Sequence, residues 1–172
     1  KIDADGNAFI ITNFHLVYDS HNITENNISN EILVCLYGME AQEYTIPATY
    51  VGGSANYDIA VLRVDKNDIL RSAYATGSAA AITVGNSDLI FPGQTTIAIG
   101  NPSPDDVSGI SVTQGIVSVD SEYIVMEAFD NSGEVSFRVI RTDTAVNPGN
   151  SGGGLFNSAG ELIGIINAKP KL

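Results

Sequence analysis

The chain has 172 residues, 44% of them hydrophobic, which is enough length for a substantial core. Eight basic against twenty acidic residues leave a net charge of −12, which argues against nucleic acid as a partner because that needs a basic footprint. The single cysteine rules out an internal disulfide and any zinc site built on two cysteines, two histidines are too few for a zinc centre, and no apolar run approaches the ~18 residues of a membrane span.

Seventeen glycines, seven tyrosines and many Val, Ile and Thr favour β structure. Asp3-Ala4-Asp5-Gly6-Asn7 reads as a hairpin turn leading into a strand over residues 8–12. Residues 20–30 are polar and asparagine-rich and read as a surface loop carrying His21; Asn22-Ile23-Thr24 and Asn27-Ile28-Ser29 match the glycosylation sequon, as chance allows in such a loop. Residues 31–37, 43–51 and 59–64 read as further strands. Cys35, inside the apolar run Ile32-Leu33-Val34-Cys35-Leu36, is expected to be a buried, inert thiol. Residues 66–72 read equally as a helical turn or a structured loop. After Phe91-Pro92-Gly93 the strand pattern restarts over residues 95–99, 110–119, 123–128, 135–141, 154–156 and 162–167, and no helix-period amphipathic segment of ten or more residues appears. The expectation is an all-β fold in two halves, 1–88 and 89–172.

The stretch with the most chemistry is Asn147-Pro148-Gly149-Asn150-Ser151-Gly152-Gly153-Gly154-Leu155, a lone serine set in glycines. It reads either as a glycine-rich turn or as a nucleophile with backbone N–H groups turned toward a developing negative charge. Gly149-Asn150-Ser151-Gly152-Gly153 also fits G-x-S-x-G, but that elbow needs a downstream histidine and a following helix, and this chain has neither signal. The lysine of a phosphate-binding loop is missing too. Both histidines lie upstream, so a triad would run His…Asp…Ser. His15, where an apolar strand enters a turn, and Asp58, against the apolar run Ile59-Ala60-Val61-Leu62, are the candidate base and orienting acid. Asp143 competes with Asp58 but lies close enough to Ser151 to organise its loop instead.

Thr12-Asn13-Phe14-His15-Leu16-Val17, Asp58-Ile59-Ala60-Val61-Leu62, Ile99-Gly100-Asn101-Pro102, Thr113-Gln114-Gly115-Ile116-Val117-Ser118 and the segment from Thr142 to Leu155 occur in the order and spacing of one family. Over nearly its whole length the chain resembles the protease domain of the HtrA (DegP/DegS-like) serine proteases. The resemblance implies a chymotrypsin-like fold of two six-stranded β-barrels with a site in the cleft between them. It implies His15, Asp58 and Ser151 as catalytic residues and the backbone of Gly149, Asn150 and Ser151 as the oxyanion hole. It also implies that part of an opening strand, the closing strand and any PDZ domain lie outside these residues.

Further expectations follow from the resemblance. Asn150 replaces the aspartate with which digestive trypsin-like enzymes capture a new N-terminus, so ordering of the loop 144–150 should govern activation. Gly154 stands where the family usually has proline and should loosen the chain after the nucleophile, and Phe14 adds a bulky apolar group beside His15. Ala145 near the base of the primary pocket disfavours cleavage after Lys or Arg, and residues Ile165, Ile166, Asn167 and Ala168 are expected to pair with extended substrate. The implied function is a serine endopeptidase acting on unfolded or misfolded polypeptides through an acyl-enzyme. The alternative is a catalytically latent peptide-binding, chaperone-like or stress-sensor module on the same fold. No metal or cofactor is implied; a homotrimer and an extracytoplasmic bacterial envelope location, secreted or membrane-tethered, are.

Overall fold

The computed structural model describes residues 1–22, 27–36, 45–101 and 110–167. Tyr37, the start of the expected 43–51 strand, Ile23-Thr24 of the first sequon, Pro102 and Ala168 lie outside them. The first half contains β1 (Ala8–Thr12), β2 (Leu33–Val34), β3 (Ile46–Pro47), β4 (Thr49–Ser54) and β5 (Ile59–Val64), followed by helix α1 (Asp68–Thr76). The second contains β6 (Thr95–Gly100), β7 (Ser111–Glu127), β8 (Glu134–Thr142), β9 (Gly154–Asn157) and β10 (Leu162–Ile165). The fold is all-β and trypsin-like, with five strands in each half among the described residues.

Antiparallel pairing orders the first half as β1-β5-β4, with β2 and β3 as a separate pair, and the second as β10-β9-β6-β7-β8. The Asp3–Asn7 turn forms as expected: Asp3 Oδ1 accepts the N–H groups of Asp5 at 3.0 Å and Asn7 at 2.9 Å, and the Asn7 amide donates to Asp3 Oδ2 at 2.8 Å. β1 then pairs with β5 in unbroken register from Ala8↔Val64 to Thr12↔Ala60. Alternation along β5 turns Ala60, Leu62 and Val64 inward, where they divide between two buried clusters. Phe14, Val17, Ile28, Ala60 and Leu62 form one, and Ala8, Ile46, Val64 and Leu70 the other. In the second half Ile90, Ala98, Leu155, Ile163 and Ile166 form the core. Residues 83–85 run beside β10, the Leu162 N–H donating to the Thr83 carbonyl and the Gly85 N–H to that of Leu162, both at 2.9 Å.

Three local expectations change. Cys35 is exposed, because residues 32–36 alternate: Ile32, Val34 and Leu36 pack inward against the two clusters, and Leu33 and Cys35 face out. The two strands expected over 110–119 and 123–128 are one 17-residue strand. Its polar Asp120-Ser121-Glu122 imitates a turn, but two register irregularities between Val117 and Glu122 absorb it within the ladder. Of residues 66–72, those from Asp68 onward open a helix of nine residues whose ends are set by its caps: the Asn67 side chain accepts the Leu70 N–H at 2.9 Å, and left-handed Gly77 closes it on Tyr74. Asn67→Ala is expected to lower stability by about 1 kcal/mol, seen as a reduced urea midpoint at unchanged slope.

Candidate active site

His15 is placed by its neighbours in a single helical turn after β1. Phe14 sinks into the first cluster, its ring 5.6 Å from that of Tyr18 and 6.5 Å from that of Tyr50. The next side chain, His15, therefore points outward and is 26% exposed. Asp58 ends the β4–β5 turn with φ +51° and no exposed surface. Its carboxylate grips His15 at two points: Oδ2 lies 2.7 Å from Nδ1, and Oδ1 accepts the His15 backbone N–H at 2.8 Å. The buried Asn13 amide donates to the Asp58 carbonyl at 2.9 Å, fixing the backbone as well. Burial pushes the Asp58 carboxyl above its ordinary value, while the hydrogen bonds and charge of His15 pull it back without cancelling that rise.

The serine loop is anchored at its root by three hydroxyls. Thr96 Oγ1 on β6 lies 2.9 Å from that of Thr142 and 2.6 Å from that of Thr144, which are 2.7 Å from each other. Asp143 Oδ1 accepts the Ile116 N–H at 2.7 Å, and Thr113 Oγ1 donates to the Ala145 carbonyl at 2.8 Å. At the tip, the Asn150 N–H closes a turn on the Asn147 carbonyl at 3.1 Å, and its buried side chain rests against Gly100. Gly149 and Gly152 have φ of +93° and +82°, a region that favours glycine. Any Cβ on Gly152 would overlap Thr12 Oγ1 and lie 2.7 Å from Leu16 Cδ1, so the loop closes directly onto the turn that carries His15. Ser151 Oγ donates to the Asn167 carbonyl at 3.1 Å, and among the described residues it makes no hydrogen bond to His15. The N–H groups of Gly149 and Ser151 have no partner among the described residues, whereas that of Asn150 is taken by the turn.

Comparison with known proteins matches the family described as trypsin-like peptidase domain to residues 2–165. The chain belongs to that family, in its HtrA branch. It is 37% identical over 165 residues to the serine protease Do-like HtrA of Bacillus subtilis (strain 168), covering 96% of this chain and 31% of that protein. The "probable periplasmic serine endoprotease DegP-like" of Pseudomonas fluorescens is 36% identical over 95% of this chain and 27% of its own length. A solved structure, "HtrA-type protease AlgW with decapeptide", is 32% identical with a TM-score of 0.66, covering 97% of this chain and 41% of that one. The chain thus spans about a third of the curated relatives it matches. By family it is a trypsin-like peptidase domain.

Within this HtrA-type domain the residues singled out from sequence separate clearly. His15 and Asp58 are brought together, and the Ser151 loop packs on the same turn. His21 is exposed. Asp143 ties the root of the serine loop to β7 and does not meet His15. Phe14 faces the core, so the group beside the imidazole is not Phe14 but Phe129, from the β7–β8 turn, stacked on His15 at 4.8 Å and 23°. Nothing local in the sequence marks Phe129; its role depends on a hairpin crossing between halves. Gly154 is not loose: it starts β9, and the Phe156 ring and Leu162 occupy the space above it, a Cβ there falling 2.7 Å from Phe156 Cζ. Ala145 is exposed. Ile165 pairs with Gly154, and Ile166 is buried with its N–H bonded to Gly153 and its carbonyl to Gly152. The Ile166 N–H is therefore already committed within the fold.

The raised Asp58 carboxyl has a consequence for stability. Its folded pKa lies above the ordinary 3.8, so the native chain holds this proton more tightly than the unfolded one. That contribution is present at low pH and is lost as pH rises through the folded value, leaving at neutral pH the part of the burial penalty that His15 does not offset. Asp58→Asn is expected to melt higher than the parent at pH 7 and to lose this advantage as the pH is lowered through the raised value, measured by thermal scans across pH.

Proposed function

We propose that the domain hydrolyses peptide bonds with Ser151 as nucleophile, His15 as general base and then acid, and Asp58 as the group that orients and stabilises the imidazole. The observation that carries this reading is the two-point grip of the buried Asp58 on His15, with the Ser151 loop closed on the same turn through Gly152. In the proposed cycle the Ser151 hydroxyl turns from the Asn167 carbonyl toward His15 Nε2 and gives up its proton as Oγ attacks the scissile carbonyl. The N–H groups of Gly149 and Ser151, without a partner among the described residues, receive the oxyanion. The imidazolium returns the proton to the departing amine, leaving an acyl-enzyme. Water then attacks the acyl carbon with His15 again accepting the proton, and collapse restores the Ser151 hydroxyl.

The substrate class proposed is polypeptide in extended, unfolded form, cleaved after aliphatic rather than basic residues. The decapeptide named with the AlgW structure supports the first part; Ala145, in place of an acidic residue, supports the second. An extracytoplasmic location is proposed on the periplasmic relatives.

One observation favours a latent form of the same site: Ser151 Oγ is bonded to Asn167 rather than to His15. The two readings part on casein, which an active domain degrades and a latent, chaperone-like one only keeps soluble. A fluorophosphonate probe is expected to label the parent at Ser151 and to leave Ser151→Ala unlabelled; equal labelling of both removes Ser151 as nucleophile. Gly149→Ala, which places a Cβ where φ is +93°, is expected to reorient an oxyanion N–H and lower kcat by about 10²–10³-fold, measured on a fluorogenic peptide.

A further inference from the structure

The β7–β8 hairpin leaves its own half of the molecule and meets the other half at the His15–Asp58 pair. Its tip is built by local bonds: the Ala128 N–H donates to the Gly133 carbonyl at 2.8 Å, the Asn131 N–H to that of Ala128 at 2.9 Å, and Asp130 Oδ1 accepts the Ser132 N–H at 3.0 Å. Phe129 packs from this tip against the cluster of Phe14, Val17, Ala60 and Leu62 and lays its ring on the His15 imidazole. Further along β8, Phe137 meets the ring of Tyr57, the residue before Asp58, at 6.1 Å and 77°. One hairpin therefore touches the chain beside both members of the pair.

Asp58 holds His15 along one edge of the ring, through Nδ1. A hydrogen bond at one edge sets direction but leaves the ring free to tilt about it. An aromatic face at 4.8 Å and 23° blocks tilting toward that side, because offset-stacked rings keep their planes nearly parallel. An aliphatic side chain at the same place fills space but supplies no plane.

We propose that Phe129 is a positioning residue for the reaction: its ring, delivered from the second half, sets the plane of the His15 imidazole so that Nε2 faces Ser151. This rests on the serine peptidase reading above. The same contact makes the base dependent on where the hairpin tip lies.

The test compares the parent chain with Phe129→Leu, Phe129→Ala and Phe129→Tyr. Leucine keeps apolar bulk without a ring, and tyrosine restores the ring. The readouts are kcat and KM on a fluorogenic peptide, the melting temperature, and the NMR shifts of the carbon-bound His15 ring protons, which the Phe129 ring current displaces. Phe129→Leu and Phe129→Ala are expected to lower kcat about tenfold or more, with KM little changed and the ring-current displacement lost. Phe129→Tyr is expected to restore both kcat and the displacement, and Phe129→Leu to melt as the parent does. The proposal is overturned if Phe129→Leu keeps the parent kcat, if its loss falls on KM or melting alone, or if Phe129→Tyr fails to rescue. A parent that is neither hydrolytic nor labelled at Ser151 overturns the peptidase reading instead, while the ring-current comparison still decides for or against the positioning contact.

Discussion

The arrangement of this domain turns on one carboxylate with no access to water. Burying a charged group is tolerated only where donors are waiting for it, and His15 gives the Asp58 carboxylate partners at both oxygens. That requirement ties the end of β1 to the β4–β5 turn. Asn13 binds the Asp58 carbonyl from the same segment, so backbone and side chain are fixed together. Phe14, between Asn13 and His15, anchors the turn by facing the opposite way, into the core with Tyr18 and Tyr50. Neighbouring residues thus alternate between packing and chemistry, and the packing residue determines where the chemical one points.

The second half solves a different problem, that of holding a loop without consuming its N–H groups. Three threonine hydroxyls from β6, β8 and the start of the loop satisfy one another at its root. Asp143 and Thr113 tie the same root to β7. At the tip the restraint is steric: Asn150 sits on Gly100, and Gly152 sits under Thr12 and Leu16. Such packing fixes a backbone while leaving donors without a partner among the described residues, as at Gly149 and Ser151. The Ser151 hydroxyl has its acceptor in the Asn167 carbonyl.

Where an element depended on its own residues, it was legible in the sequence. The strands at 8–12 and 59–64 match in full, because each is bounded by turn chemistry and carries an unambiguous β-rich pattern. Asp58 was legible through the conflict between a charge and an apolar strand. The misreadings share another cause. Cys35 looked buried because a short apolar run does not reveal which alternate positions face inward. β7 looked like two strands because bulges and turns attract the same polar residues. The bonds of the Ile166 carbonyl and N–H to Gly152 and Gly153 were not legible either, being a pairing between segments that no local pattern records.

Sequence alone determined the β class and the strands at 8–12 and 59–64, since these follow from local periodicity and turn preference. Tertiary structure alone decided which groups meet. It set Phe129 rather than Phe14 against His15, kept Asp143 at the root of the loop, and occupied the Asn150 N–H while leaving those of Gly149 and Ser151 unused among the described residues. The physical reason is that hydrogen bonds and stacking act over a few ångströms between segments far apart in the chain. Their partners are therefore fixed by how the two halves pack.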